Sequence, residues 1–261
     1  MQAVGLTDEL TIRVDSAFSG IRFDCEGLAL ADPTDNLVYR AADLVLQKTG
    51  AAVGVEISLR KQIPVAAGLG GGSSDAAATI MGLSRLLKCG WSWEDMIPLG
   101  QQLGSDVPFF FAAPTAVIQG LGEQISPITI SGDRWILLVN PGFPIHTKSA
   151  YRRLDDVRGA DIQTDSWRDN FNGTSLASWD EVLPLIQNDF EDVLLEDYPE
   201  LAHLKEALMQ AGAEAALVSG SGATMFGIFS DESMARLAEA KLPGSSECRV
   251  FVVPVKKCGL M

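Results

Sequence analysis

Residues Pro64 to Ala78 read PVAAGLGGGSSDAAA, and how this stretch is understood decides how the chain on either side of it folds. Gly68, Gly70, Gly71 and Gly72 give way at once to Ser73, Ser74, Asp75 and a run of alanines, the strongest helix formers. A permissive backbone feeding a helix start lets several N–H groups and the positive end of the helix dipole converge on one anion, as a phosphate loop requires. The alternative for such a cluster is a tight turn or a linker. The flanks favour the phosphate loop, because apolar, strand-like VGVEISL (53–59) precedes it and helix-like AAATIMGLSRLL (76–87) follows. Gly72 leads into Ser73 rather than into Lys-Ser/Thr, so the pattern is not a Walker loop. The glycine spacing and the absence of an acidic residue ending the next strand also set it apart from a dinucleotide fingerprint.

Working outward, 261 residues suffice for one large or two medium domains with a sizeable core. A hydrophobic fraction of 47% with 21% charged residues belongs to a soluble globular protein. The net charge of −14 argues against a broad nucleic-acid or anionic-membrane surface, so a bound phosphate has to be gripped locally. Cys25, Cys89, Cys248 and Cys258 form no CxxC pair, and His146 and His203 are the only histidines, which gives a structural metal site poor support. No metal-ligating residues are assigned. A reducing, cytoplasmic setting is the simplest expectation, with neither a membrane-spanning run nor the basic-then-apolar order of a signal peptide.

Alternating LTIRV and IRF, separated by Gly20, predict a pair of strands in an antiparallel ribbon. Asp35 or Asn36 caps a helix over LVYRAADLVLQKTG, with Leu37, Ala41, Leu44 and Val45 on one face and Gly50 beyond its end. A strand up to Pro64, a long helix from Ser74 to Lys88, a short helix capped by Ser92, and a core-seeking aromatic triplet in GSDVPFFF (104–111) follow. TAVIQGLGEQISPI predicts a hairpin, and SGDRWILLVNPGF a buried strand ending at Pro141. Beyond a helix near KSAYRRLDD, residues Gly159 to Ser178 read as a loop or lid, then helices over Pro184–Leu195 and Pro199–Ala211. Two strands flank SGSGAT (219–224) before a final helix, Glu232–Lys241, and strand, Cys248–Val255. The expectation is an α+β protein in two lobes divided near Ile130, with domains 1–130 and 131–261.

Three small or polar loops, Gly68–Asp75, Gly104–Asp106 and Ser219–Thr224, would supply a phosphate cradle, an isolated carboxylate and a second backbone clamp if they converge. That set suits phosphoryl transfer. GLGGGSSDAA, LGSDVPFF and VSGSGATMFGIF, in this order, resemble the motifs of the GHMP family of small-molecule kinases over essentially the whole chain. DNLVYRAA (35–42), the triple glycine with two serines, and GSDVPFF look like the branch that phosphorylates a cytidyl-linked alcohol on a route to isoprenoid precursors.

The resemblance implies a ribosomal-protein-like N-terminal α/β lobe and a ferredoxin-like C-terminal lobe. It implies ATP and Mg²⁺, and a protein that acts as a monomer or homodimer on small molecules, with no nucleic-acid or membrane partner. Carried over by position, Pro64, Val65, Ala66, Ala67, Gly68, Leu69, Gly70, Gly71, Gly72, Ser73 and Ser74 bind the ATP phosphates, the two serine hydroxyls lying near phosphate or Mg²⁺. Asn36 and Leu37 border the adenine, Gly220 and Gly222 belong to the loop that closes on the phosphates, and Asp106 is the catalytic carboxylate. From the residues alone Asp106 is as well read as a turn or cap carboxylate, whereas for 219–224 the functional loop is favoured over a tight interstrand turn. Thr147 and Tyr151 fall at the cytidine end, where Tyr151 either stacks on the base or, at helical spacing from Leu154, joins the core. Lys61 reads as a phosphate counter-ion or as a solvated strand residue, the second being the simpler. The family's opening Pro-Ala-Lys-x-Asn-Leu and Asp-Gly-Tyr-His segments have no match, so the expectation is a chain that starts a few dozen residues late, lacks its first strands and has weak or no kinase activity.

Overall fold

The computed structural model describes residues 1–27, 32–158, 176–242 and 248–257, which form two compact units. The first comprises Met1–Val65, Gly70–Pro127 and the chain from Lys256; the second comprises Ala66–Leu69 and Ile128–Val255. Helices and mixed sheets make the class α+β.

In the first unit β1 (Glu9–Asp15), β2 (Gly20–Glu26), α1 (Leu37–Thr49) and β3 (Gly54–Arg60) precede the glycine loop. The two early strands do not form a ribbon with each other. The order is β1-β3-β2, with β3 antiparallel to β1 and parallel to β2. The reason is burial: Val55, Ile57 and Leu59 of β3 are fully enclosed, whereas β1 and β2 alternate between exposed and half-buried residues, as edge strands can. Asn36 caps α1 by accepting from the Val38 N–H at 2.8 Å, and Gly50 ends it at φ +64°. Its buried face is Val38, Ala41, Ala42 and Val45, turned slightly from the expected stripe, so that Leu37 and Leu44 are only partly covered.

α2 (Gly71–Leu86) starts three residues earlier than the sequence predicts, drawing the glycines themselves into its first turn. It buries Ala76, Ala77, Ile80 and Leu83 against the sheet and α1. Truncating Ile80 or Leu83 to alanine in such a core costs about 2–5 kcal/mol. α3 (Trp93–Gln101) has the expected Ser92 cap, reciprocated by Asp95. α4 (Phe109–Ala112) sinks Phe109 and Phe111, and β4 (Ala116–Gln119) and β5 (Gln124–Pro127) make the expected hairpin.

The second unit runs β6 (Thr129–Ser131), β7 (Trp135–Asn140), α5 (Thr147–Arg158), β8 (Leu176–Ser178), α6 (Trp179–Val182), α7 (Glu191–Asp197), α8 (Pro199–Gln210), β9 (Ala215–Val218), β10 (Met225–Phe229), α9 (Glu232–Glu239) and β11 (Arg249–Pro254). Its main sheet, β11-β7-β10-β9, is antiparallel throughout. Leu137, Val139 and Met225 of that sheet pack with Leu201 and Leu208 of α8 and Ala235 and Ala238 of α9. Most of the expected loop from Gly159 lies outside the described residues; its end, Leu176–Ser178, is a strand paired in parallel with β6. The helix expected over Pro184–Leu195 is broken: Leu183–Leu185 form one 3₁₀ turn, and Asn188 then accepts from the Phe190 N–H at 3.0 Å to set up α7. Among the described residues no helix is long and apolar enough to cross a membrane.

Candidate functional site

The first unit holds the helix-side half of the glycine loop. Gly70 sits at φ +65° in the cap position of α2, and no side chain caps the helix. The first intrahelical bond runs from the Ser74 N–H to the Gly70 carbonyl at 2.9 Å. The N–H groups of Gly71, Gly72 and Ser73 are therefore free of acceptors among the described residues, at the positive end of a 16-residue helix. Ser73 is half-buried and its hydroxyl has no protein partner among the described residues, while the Ser74 hydroxyl donates to the Gly71 carbonyl at 2.8 Å. Leu37 reaches this turn, since a Cβ on Gly72 would stand 3.5 Å from its Cδ1. Pro64 is buried and Val65 exposed.

Asp106 lies in the turn before α4, in the same unit. Asp106 is exposed in this turn and makes no hydrogen bond or ion pair among the described residues, while partial desolvation of its carboxyl pushes its pKa above the ordinary value. Gly122, at φ +99°, allows the hairpin to pass beneath this turn: a Cβ there would run into the Ser105 carbonyl.

Lys61 is neither solvated nor available to a ligand. Its side chain is only 6% exposed and lies between Asp8 and Asp75, with Nζ donating to both carboxylates, at 2.8 Å in the case of Asp75. The other Asp8 oxygen accepts from the N–H groups of Gln62 at 2.5 Å and Ile63 at 2.9 Å. Burial raises the Asp75 pKa to about 6 against the pull of Lys61, and although burial works to lower the Lys61 pKa, its two carboxylate partners leave it raised. A charged residue ending an amphipathic strand usually points to water; only a carboxylate one helical turn into α2 and another ahead of β1 make burial possible here. Asp8 and Asp75 were not singled out in the sequence, and their sole signal was charge bordering apolar segments.

In the second unit Ala66 (φ +53°), Ala67, Gly68 (φ +73°) and Leu69 dock onto the Ser219–Thr224 turn. The Ser219 hydroxyl donates to the Gly68 carbonyl at 2.8 Å and the Thr224 N–H to that of Ala67 at 3.3 Å. A Cβ on Gly68 would overlap the Ser219 carbonyl oxygen, and Gly220 and Gly222 both take positive φ. The sequence reading thus paired two small-residue segments that the structure places in direct contact. Three residues it passed over hold that turn from outside. Asn188 donates to the carbonyls of Val218 and Gly220, both at 2.8 Å; Glu191 accepts from the Val218 N–H at 2.8 Å; and Asn140 donates to the Thr224 hydroxyl at 3.0 Å. Thr147 opens α5 with its hydroxyl 2.9 Å from that of Ser221. Tyr151 is 55% exposed and meets Phe190 edge-on, so it is not a core residue.

The chain matches the GHMP kinases N terminal domain over residues 36–113 and the GHMP kinases C terminal domain over residues 171–245. It is 40% identical over 242 residues to a protein of Geobacter sp. (strain M21) named 4-diphosphocytidyl-2-C-methyl-D-erythritol kinase, covering 93% of this chain and 84% of that protein. A Geobacter metallireducens protein of the same name is 39% identical over 256 residues, 98% of this chain and 88% of the relative. Among solved structures, a 4-(cytidine 5'-diphospho)-2C-methyl-D-erythritol kinase superimposes with a TM-score of 0.73 at 30% identity, covering 97% of this chain and 87% of that one. A homoserine kinase from Cytophaga hutchinsonii, at TM-score 0.75 and 20% identity over 96% and 87% of the two chains, shares the fold.

Proposed function

The chain belongs to the GHMP kinase family, and from that premise we propose that it transfers the γ-phosphoryl group of ATP to the 2-hydroxyl of 4-diphosphocytidyl-2-C-methyl-D-erythritol, in the cytoplasm. The observation that carries the reading is the uncapped start of α2, where three N–H groups without acceptors among the described residues and the positive end of a helix dipole meet on an acidic chain. The level of identity to relatives bearing the substrate's name selects this acceptor over homoserine, since the homoserine kinase likeness is one of fold.

In this reading Gly70–Ser74 hold the phosphates through backbone donors, and Pro64–Leu69 with the Gly220–Gly222 turn complete the grip. Asn36 and Leu37 border the adenine. The Ser73 and Ser74 hydroxyls would hold Mg²⁺, which would supply neutralisation of charge on the transferring phosphoryl group. The donor set fits it, because the Ser73 and Ser74 hydroxyls are the hard oxygen ligands that Mg²⁺ takes alongside phosphates and water. Asp106 orients the acceptor hydroxyl and takes its proton as oxygen bonds to phosphorus and ADP leaves. Its raised pKa makes it a stronger base than a solvated aspartate. Thr147 and the exposed ring of Tyr151 meet the cytidine end.

The test is a phosphoryl-transfer assay on the purified chain with ATP, Mg²⁺ and a panel of alcohols. ADP formation with the cytidyl substrate, lost in Asp106→Asn, supports the reading. Turnover of homoserine or mevalonate but not of the cytidyl substrate would sink it, and so would ATP binding with no turnover of any alcohol.

A further inference from the structure

The Asp8–Lys61–Asp75 cluster is the most deeply buried set of charges among the described residues, and the chemistry above does not use it. Its side chains are 2%, 6% and 7% exposed. It is joined to four pieces of chain. Asp8 stands just ahead of β1. Lys61 follows β3, with its N–H on the Glu26 carbonyl at the end of β2. Asp75 lies in the second turn of α2, and Asp8 also grips the N–H groups of Gln62 and Ile63.

These are the two ends of the phosphate loop. Chain leaves the sheet at Lys61–Ile63 and begins the helix at Gly71–Ser74. Gly71 lies directly against the first of these: a Cβ there would stand 2.8 Å from Ile63 Cγ2 and 3.4 Å from Lys61 Nζ. A hydrophobic contact could pack the two ends together but would leave their separation to slide. A lysine bonded to two fixed carboxylates sets it, because each bond is directional and charge-assisted. The partial alternative, a solvent-exposed pair, would be loosened by water and salt.

We propose that Asp8, Lys61 and Asp75 are positioning residues that pin the two ends of the glycine loop, and so set the affinity for the nucleotide phosphates without touching them. This rests on the nucleotide reading of the loop given above. Removing the bridge lets Gly71, Gly72 and Ser73 splay, so that their N–H groups no longer converge on one anion.

The measurement is ATP binding by calorimetry, alongside KM for ATP and for the cytidyl acceptor, on the full chain. Lys61→Met/Asp75→Asn removes the bridge and two of its three ionisable groups, and Asp8 keeps its two backbone donors. The expected result is an ATP Kd raised at least tenfold with less than a threefold change in acceptor KM. Val45→Ala, a cavity variant in the fully buried face of α1, serves as the stability control and keeps its ATP affinity well below its melting temperature. A folded double variant with ATP Kd within twofold of wild type overturns the proposal, as does an equal loss in the Val45→Ala control. If the double variant does not fold, Asp8→Asn decides: a threefold or greater rise in ATP Kd upholds the proposal and a smaller change overturns it. A wild-type chain that binds no ATP also overturns it, whereas one that binds ATP but does not phosphorylate the cytidyl substrate refutes only the proposed reaction.

Discussion

Gly68 and Ser219 are held in direct contact: the Ser219 hydroxyl donates to the Gly68 carbonyl at 2.8 Å, while the Ser219 carbonyl occupies the space that any side chain at 68 would need. Two segments 151 residues apart in the chain therefore meet at a point where only glycine fits. Gly68→Ala introduces both a clash with backbone and a β-carbon at φ +73°, together worth about 1–3 kcal/mol. The expected outcome is a lowered melting temperature and weaker ATP binding, read by calorimetry on the same sample.

In the proposed reaction, loss of Asp106 is expected to cut turnover sharply without unfolding the protein. Asp106→Asn removes a proton acceptor, and general-base contributions of this kind are about 10²–10⁴-fold in kcat. The carboxylate makes no hydrogen bond or ion pair among the described residues, so the isosteric amide should leave the melting temperature close to that of wild type. Because the pKa is raised, the acid limb of the wild-type kcat/KM profile falls above the ordinary aspartate value of 3.8. A profile that stays flat down to that value contradicts the assignment.

Gly122 supports Asp106 at one remove. Gly122→Ala drives a Cβ into the Ser105 carbonyl, displacing the turn that carries the carboxylate. The expected signature is a fall in kcat with little change in KM for ATP, because the helix-side half of the glycine loop is untouched. Steady-state kinetics with each substrate varied in turn distinguishes this from general destabilisation, which Tm reports separately.

Asp75 predicts a pH dependence of stability with a definite sign. Its folded-state pKa, about 6, exceeds the unfolded value of 3.8 because burial disfavours the carboxylate. The folded state therefore holds its proton more tightly, and this contribution to stability is full below 3.8 and is lost as pH rises through about 6. Lys61, Asp8 and the half-buried Cys25 of β2, whose own pKa is raised by burial first, are the groups that face it. Urea melts between pH 4 and 7 should show Asp75→Asn flattening that slope relative to wild type. An unchanged slope would locate the effect elsewhere.

Much of this was legible in the sequence because it depends on local chemistry. Asn36, Ser92 and Gly50 set helix ends through bonds within a few residues, and glycine runs declare themselves whatever surrounds them. The contact of Gly68 with Ser219 could be anticipated as convergence of two small-residue segments, though not which atoms meet. What escaped was set by distant partners. β1 and β2 alternate like a hairpin, and what separates them is β3, whose Val55, Ile57 and Leu59 take the buried central place. Lys61 looked solvated because strand periodicity says nothing of a carboxylate from another element. Asn188 and Glu191 resembled ordinary loop and helix polar residues, yet their side chains pair with backbone some thirty residues onward.

The uncapped start of α2 carries a trade-off for anyone who would make this protein sturdier. A Ser, Asp or Asn cap at position 70 would ordinarily add about 1 kcal/mol to such a helix. Here it would fill with the protein's own oxygen the place left for a visitor's, and its Cβ would crowd the Phe110 ring at 3.3 Å. In the proposed reading fold stability rests partly on the guest, and a thermal-shift titration with ATP reads how much of the helix's resilience arrives only on binding.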